Sequence, residues 1–246
     1  MSLVKEINLV DISHQIPNFN TAHAAFILKN TYHHYPKGSI HLIAINTVSS
    51  TEKPYLAIKA NGHFFIGCDN GIFGLILGDE VESIIRIDAG KKDSSFPSLT
   101  VFAEAACHLA KGKKITDLGK PLDKFSKSVP LRAAIDDSVI TGSVIYIDSY
   151  QNAITNITRD IFERIGKERQ FEILVTSNHY MINKLNKRYD ETSTGEILAL
   201  FNSLNLLEIA INNGNAASLL NLTPGSSIRV TFKEKKIQHA SNKSRK

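Results

Sequence analysis

The chain has 246 residues, 42% hydrophobic and 22% charged, which excludes a disordered body and suits one large or two ordinary domains. Its formal charge of +5 sits at one end: residues 233–246 carry six bases (Lys233, Lys235, Lys236, Lys243, Arg245, Lys246) against Glu234, and the rest is neutral. A basic chain average is therefore no ground for reading the body as a nucleic-acid binder, and the tail is expected to be polar and mobile.

Ile7 to Ile12 reads as a buried strand. After Pro17, Asn20 or Thr21 can cap a helix that places Ala22, Ala25, Phe26 and the Lys29 stem at helical spacing, before Pro36-Lys37-Gly38 ends it. Ile40 to Asn46 returns as a strand. Tyr55 to Lys59 and His63 to Gly67 flank Asn61-Gly62, a hairpin signal because both turn residues tolerate positive φ. Ile84 to Ile87 is a further short strand, and Leu99 to Lys111 a helix with Phe102, Ala105, Ala106 and Leu109 on one stripe and Gly112 as its stop. These alternating elements predict an α/β N-terminal domain over 1–117.

Residues 118–138, mixed in Lys, Asp, Ser and Pro, read as a linker. Short strands follow at Gly142 to Ile147, Ala153 to Ile157, Gln170 to Val175, Ile197 to Phe201, Leu206 to Ile211 and Ser227 to Phe232, with one short helix near Asp160 to Ile165. They predict a C-terminal β-barrel or sandwich over 139–232, followed by the tail 233–246.

No apolar run approaches the ~18 residues of a membrane span, and Met1 to Glu6 lacks the apolar stretch of a signal peptide, so a cytoplasmic protein without membrane contact is expected. Cys68 and Cys107 stand in apolar settings and read as reduced buried thiols. His33-His34 reads as a solvated pair favoured by a helix C-terminus, and no metal site is expected, since no carboxylate or cysteine lies at ligand spacing. Asp11-Ile12-Ser13-His14 can supply an acid and a base where a strand leaves a sheet, or simply turn residues. Asp69-Asn70-Gly71 is a turn or a ligand contact. Two segments are rich in hydrogen-bonding groups between apolar strands: Asp148-Ser149-Tyr150-Gln151-Asn152 with Thr155-Asn156, and Asn202-Ser203 through Glu208 to Asn213-Gly214-Asn215-Ala216-Ala217. They can hold a heteroaromatic ligand or satisfy one another.

In order, Asp11-Ile12-Ser13-His14-Gln15-Ile16, Tyr35-Pro36-Lys37-Gly38-Ser39-Ile40-His41, Asp69-Asn70-Gly71, Ala105-Ala106 through Gly112, Tyr146-Ile147-Asp148 through Asn152-Ala153-Ile154-Thr155-Asn156, and Asn202-Ser203 through Leu207-Glu208-Ile209-Ala210 to Asn215-Ala216 resemble the S-adenosyl-L-methionine (SAM) hydroxide adenosyltransferase family. This is the family of the SAM hydrolases, related to fluorinase and chlorinase. The resemblance implies a fluorinase-like two-domain architecture, α/β then β-barrel, in a homotrimer. The SAM or adenosine site would lie between the N-terminal domain of one subunit and the C-terminal domain of its neighbour, with SAM as substrate or ligand and no separate cofactor. It implies that Asp148 and Asn152 serve an adenosyl pocket, with Asn152 on the adenine, that Asn215-Ala216 forms the backbone edge beside the adenine, and that Ser203 lies near the methionine carboxylate.

The water-activating set of the family departs. Its Asp belongs to a Val-Asp-Pro-Gly-Val-Gly segment that here reads Ile45-Asn46-Thr47-Val48-Ser49-Ser50, so Asn46 takes the carboxylate's place. Lys53 stands where an Arg is implied, and Pro97 where a His opens a Phe-His-Gly-Arg-Asp segment. An amide accepts no proton and proline has no ionisable group, while Lys53 keeps the charge without the planar guanidinium fork. The family's first strand, ending in a Thr-Thr-Asp-Phe-Gly-like loop, has no counterpart before Met1. Two expectations follow: an altered hydrolase giving adenosine and methionine, or a catalytically silent SAM or adenosine binder acting as sensor or scaffold. Nucleic acid is a distant third partner, through the tail.

Overall fold

The computed structural model describes residues 7–78, 81–90, 95–175 and 180–234, and the chain divides into two compact units, Met1–Pro130 and Leu131–Lys246. Of the basic tail, all but Lys233 and Glu234 lies outside the described residues.

In the first unit, α1 (Thr21–Lys29) starts where the Asn20 side chain accepts the His23 amide at 2.9 Å, meeting one of the donors a helix start leaves unpaired. A 3-10 turn, Tyr32–His34, leads to β1 (Ile40–Ile43). The hairpin of β2 (Tyr55–Ala60) and β3 (His63–Cys68) closes through Asn61 at φ 52° and Gly62 at φ 77°, both left-handed, matching the strands' twist. Then come α2 (Ile72–Leu77), β4 (Ser83–Ile87), a π-helical turn Ser98–Phe102, α3 (Ala103–Ala110) and β5 (Gly119–Pro121). The strands order as β1-β3-β2-β4-β5, with β1 parallel to β3 and every other pair antiparallel.

Alternation along the strands feeds two cores, one on each face of this sheet. Leu56, Ile58, Phe65 and Ile84 pack on α1 and α2, whereas Ala57, Ile66, Cys68 and Ile85 pack on the π-turn and α3.

Three expectations change here. Among the described residues Ile7 to Ile12 pairs with no strand, and it is largely exposed, Leu9 by 83%. Apolar residues become a strand only where a neighbour meets their backbone groups, and none does. The helix expected from Leu99 splits, its first turn closing with a Phe102 amide to Pro97 carbonyl bond at 2.9 Å, five residues back. Much of the segment read as linker is built into this unit: β5 pairs with β4, Phe125 is buried, and Ser126 bonds Asp69.

The second unit holds β6 (Ala134–Ile135), β7 (Val139–Ile147), β8 (Ala153–Thr158), α4 (Arg159–Gly166), β9 (Phe171–Val175), β10 (Tyr180–Ile182), β11 (Leu185–Asn186), β12 (Ile197–Phe201), β13 (Leu206–Ile211), α5 (Ala216–Leu219) and β14 (Ser227–Phe232). Its sheet runs β10-β9-β14-β7-β8-β13-β12-β11, with β6 added beside β7. Besides short β6, long β7 serves β14 along its first half and β8 along its second, with an irregular register between Val144 and Tyr146. Because β10 comes back beside β12, the sheet curls to near closure around Ile140, Val144, Ile157, Ile173, Leu207, Ile209, Ile228 and Val230. The unit is thus barrel-like. Leu198, Leu200 and Ala210 form a small buried cluster of their own.

Candidate functional site

At the carboxyl ends of parallel β1 and β3 the chain leaves the sheet through a tight loop, residues 44–54. Asn46 sits at φ 49°, a left-handed conformation that asparagine adopts more readily than most residues. The Asn70 side-chain amide donates to the carbonyls of Ile45 (2.8 Å) and Asn46 (3.1 Å), while its oxygen accepts the Ile72 amide at the start of α2. The loop is closed again by Ser50: its amide donates to the Lys53 carbonyl, and its hydroxyl accepts the Lys53 amide. From beneath, the Cys68 thiol reaches the Val48 and Lys53 carbonyls, both at 3.4 Å. Asn46 and Lys53 therefore share one sheet end, both exposed to solvent.

The neighbouring Asp69 is buried, and its carboxylate accepts the amide and hydroxyl of Ser126. Burial pushes its carboxyl above the usual range and the Ser126 bonds work the other way. The Cys68 thiol is pushed up by burial and by the adjacent Asp69 charge, which keeps it protonated and inert. Asp69-Asn70-Gly71 is thus a structural bolt: it ties the loop, α2 and residues 126–128 together. Pro97 is buried at the mouth of the π-turn, whose Phe102 ring meets Tyr55 edge-on at 5.3 Å. The Asp11 carboxylate and the His14 Nε2 meet at 3.1 Å, both exposed. Both cysteines are free, and no group of three or more His, Cys, Asp or Glu among the described residues is placed to hold a metal ion. No helix among them is long and apolar enough to cross a membrane.

In the second unit the β7–β8 connection folds around Asp148. One carboxylate oxygen accepts the amides of Tyr150 and Asn152, and the other accepts the Asn152 side-chain amide at 3.2 Å. Gln151, at φ 64°, turns its carbonyl out to accept the Ala217 amide at 2.8 Å, which docks the start of α5 onto this turn. The structure therefore brings Asp148, Asn152, Asn215 and Ala216 into one place, with Asn152 and Ala216 buried.

Ser203 stands exposed in the turn between β12 and β13. Beneath it lies a carboxylate that local sequence marks only as one polar residue among several. Glu208 is 2% exposed, accepts the Tyr189 hydroxyl at 2.7 Å and the Asn202 side-chain amide at 3.1 Å, and has no basic partner among the described residues. Burial raises the Glu208 carboxyl against those two bonds, with the Asp148 charge adding to the rise. Burial, the Glu208 bond and the nearby carboxylates hold the Tyr189 hydroxyl above its ordinary value. Asn186, whose Nδ2 is buried with no hydrogen-bond partner among the described residues, shares a cross-strand row with Leu200, Glu208 and Ile154. Nothing in the local sequence announces Tyr189. It lies 19 positions from Glu208, between two short strands, and only the folded sheet joins them.

An α/β unit followed by a barrel-like β unit, each with a polar cluster at its strand ends, defines a two-domain protein. The family models for the SAM hydroxide adenosyltransferase N-terminal and C-terminal domains match residues 1–119 and 142–229, and the chain belongs to this family. It is 29% identical to an (R)-S-adenosyl-L-methionine hydrolase of Methanocaldococcus jannaschii over 93% of this chain and 84% of the relative. To a fluorinase of Actinopolyspora mzabensis it is 22% identical over 94% of this chain and 89% of the relative. The crystal structure of an uncharacterized conserved protein from Thermotoga maritima matches with a TM-score of 0.82, covering 93% of this chain and 90% of that one at 23% identity. That match is a likeness of fold.

Proposed function

We propose that the chain is a SAM hydrolase-like protein that transfers the adenosyl group of SAM to water. The C5′–S bond breaks, its electron pair leaving with sulfur to give neutral methionine, while water forms the C5′–O bond of adenosine and loses its proton to solvent. The observation that carries this reading is the docking of Ala216–Ala217 onto the Asp148–Asn152 turn, which gathers the residues assigned by resemblance to adenosyl binding. Adenine needs a few fixed donors and acceptors on apolar walls, and this turn supplies them.

Since a sulfonium is already a good leaving group, aligning and desolvating the water is most of the work, and the altered residues suit alignment. The Asn46 amide can hold a water by hydrogen bonds without taking its proton, and the Lys53 ammonium can orient the water's lone pairs. The working assembly proposed is a homotrimer in which the adenosyl residues of one subunit meet Asn46 and Lys53 of the next. Incubation of pure protein with SAM is expected to yield adenosine and methionine in equal amounts, and absence of both under conditions where a family hydrolase turns over rejects hydrolysis.

A second reading, a silent SAM or adenosine binder, is favoured by one feature: Asn46 and Pro97 leave no titratable side chain at two of the three water-activating positions. Calorimetry separates it, binding without turnover being its signature.

A further inference from the structure

We propose that Glu208 is a positioning residue of the adenosyl site: clamped between Tyr189 and Asn202, it fixes the β12–β13 turn that presents Ser203. Packing alone would put an apolar residue there. Its cross-strand neighbours are Leu200 and Ile154, both buried, and a carboxylate among them carries a desolvation penalty. What the charge obtains in return is a chain of bonds ending in the turn.

Oε1 takes the Tyr189 hydroxyl, and Oε2 takes the Asn202 amide nitrogen. Held this way, Asn202 turns its own side-chain oxygen to the amides of Leu204 (3.0 Å) and Leu206 (3.2 Å), while its backbone accepts from Asn205 and donates to Leu206. Through Asn202, the backbone of Leu204, Asn205 and Leu206 is thus referred to one buried anchor, and Ser203 is carried between Asn202 and Leu204. Asp148, at the other polar turn of this unit, is close enough to act on both Glu208 and Tyr189. The clamp therefore bonds to one of the two turns assigned to the ligand and feels the charge of the other.

The inference rests on the adenosyl reading and says more: the clamp governs the amino-acid end of the ligand, the part Ser203 would meet, and not the adenine. The test is calorimetry of full-length Tyr189→Phe and Glu208→Gln with SAM, S-adenosylhomocysteine and adenosine, alongside hydrogen exchange at the Leu204 and Leu206 amides. Tyr189→Phe removes one hydroxyl and keeps the ring, so it covers the case in which Glu208→Gln fails to fold. Each variant is expected to bind SAM and S-adenosylhomocysteine roughly tenfold more weakly, as loss of a charge-assisted bond implies, to keep adenosine within about twofold, and to exchange the two amides faster. Unchanged affinity for all three ligands, or an equal loss for adenosine, overturns the positioning role. If the wild-type protein binds none of the three, the adenosyl reading itself falls, and faster exchange in the variants then marks Glu208 as a fold clamp only.

Discussion

In the proposed hydrolysis, Asn46 is the residue on which the chemistry turns. Its left-handed φ of 49° is as accessible to aspartate as to asparagine, and its backbone oxygen is what Asn70 holds, so Asn46→Asp changes the side chain alone. In the proposed reaction a carboxylate there would accept the water proton as the C5′–O bond forms, and a positioned base commonly contributes 10²–10⁴-fold. Adenosine release by Asn46→Asp is therefore expected to rise at least about tenfold in a SAM turnover assay; an unchanged rate removes Asn46 from the reaction. Another residue-scale feature has no signal in the sequence. His41 and His63, at 3.3 Å across β1 and β3, are buried among Tyr32, Tyr35 and Phe65, and burial followed by the His63 charge brings His41 down to about 4. Lys37 and His33 act on His63 as well and lower it further, after burial. The folded state holds His41 neutral while the unfolded chain takes up a proton below about 6.5, so its contribution is complete above 6.5 and is lost as pH falls toward about 4. Urea unfolding across that window is expected to show falling stability, with a flatter slope for His41→Phe; equal slopes would assign the fall to other groups.

At the scale of elements, local chemistry reads well where it is self-contained. Asn61-Gly62 fixes its hairpin by backbone conformation, and 197–201, 206–211 and 227–232 form strands over the predicted ranges because turn residues bound each apolar run. Where an outcome depends on a distant partner, the same patterns mislead. Ile7 to Ile12 has a strand's composition and no strand to pair with, while Ile72 to Leu77 is apolar on every side and so gives helical periodicity nothing to mark. The site follows the same division: Asp148 to Asn152 is a local turn and legible, whereas Tyr189 on Glu208 is a tertiary contact. The short α4 tests the local half. Thr158 accepts the Ile161 amide at 3.2 Å and so starts the helix that brings Phe162 into the barrel core. Thr158→Ala is expected to lose about 1 kcal/mol in denaturant unfolding with an unchanged m-value. Gly142 tests the packed half: a Cβ there would lie 2.4 Å from Ile157 Cγ1, inside the unit's core. Gly142→Ala is expected to lose about 1–3 kcal/mol in the same measurement.

For the whole molecule, the residues beside each polar cluster argue for assembly. Val48 lies two positions after Asn46, Phe96 and Leu99 flank Pro97, Tyr150 is inside the Asp148–Asn152 turn, Leu204 follows Ser203, and Leu219 belongs to α5; all six are exposed. Single exposed apolar residues are ordinary, but here each lies within three positions of a residue of the proposed site, which is where a subunit completing the site would cover them. A trimer of this 27.2 kDa chain is the proposed assembly, and sedimentation equilibrium is expected to return three times that mass at micromolar concentration. Leu99→Glu puts a charge on the rim of the first unit's cluster and Tyr150→Glu one on the second. If the site forms between subunits, either substitution dissociates the trimer and abolishes SAM binding, with circular dichroism unchanged. A wild-type chain that sediments at 27.2 kDa at every concentration and still binds SAM shows instead that one subunit holds the whole site.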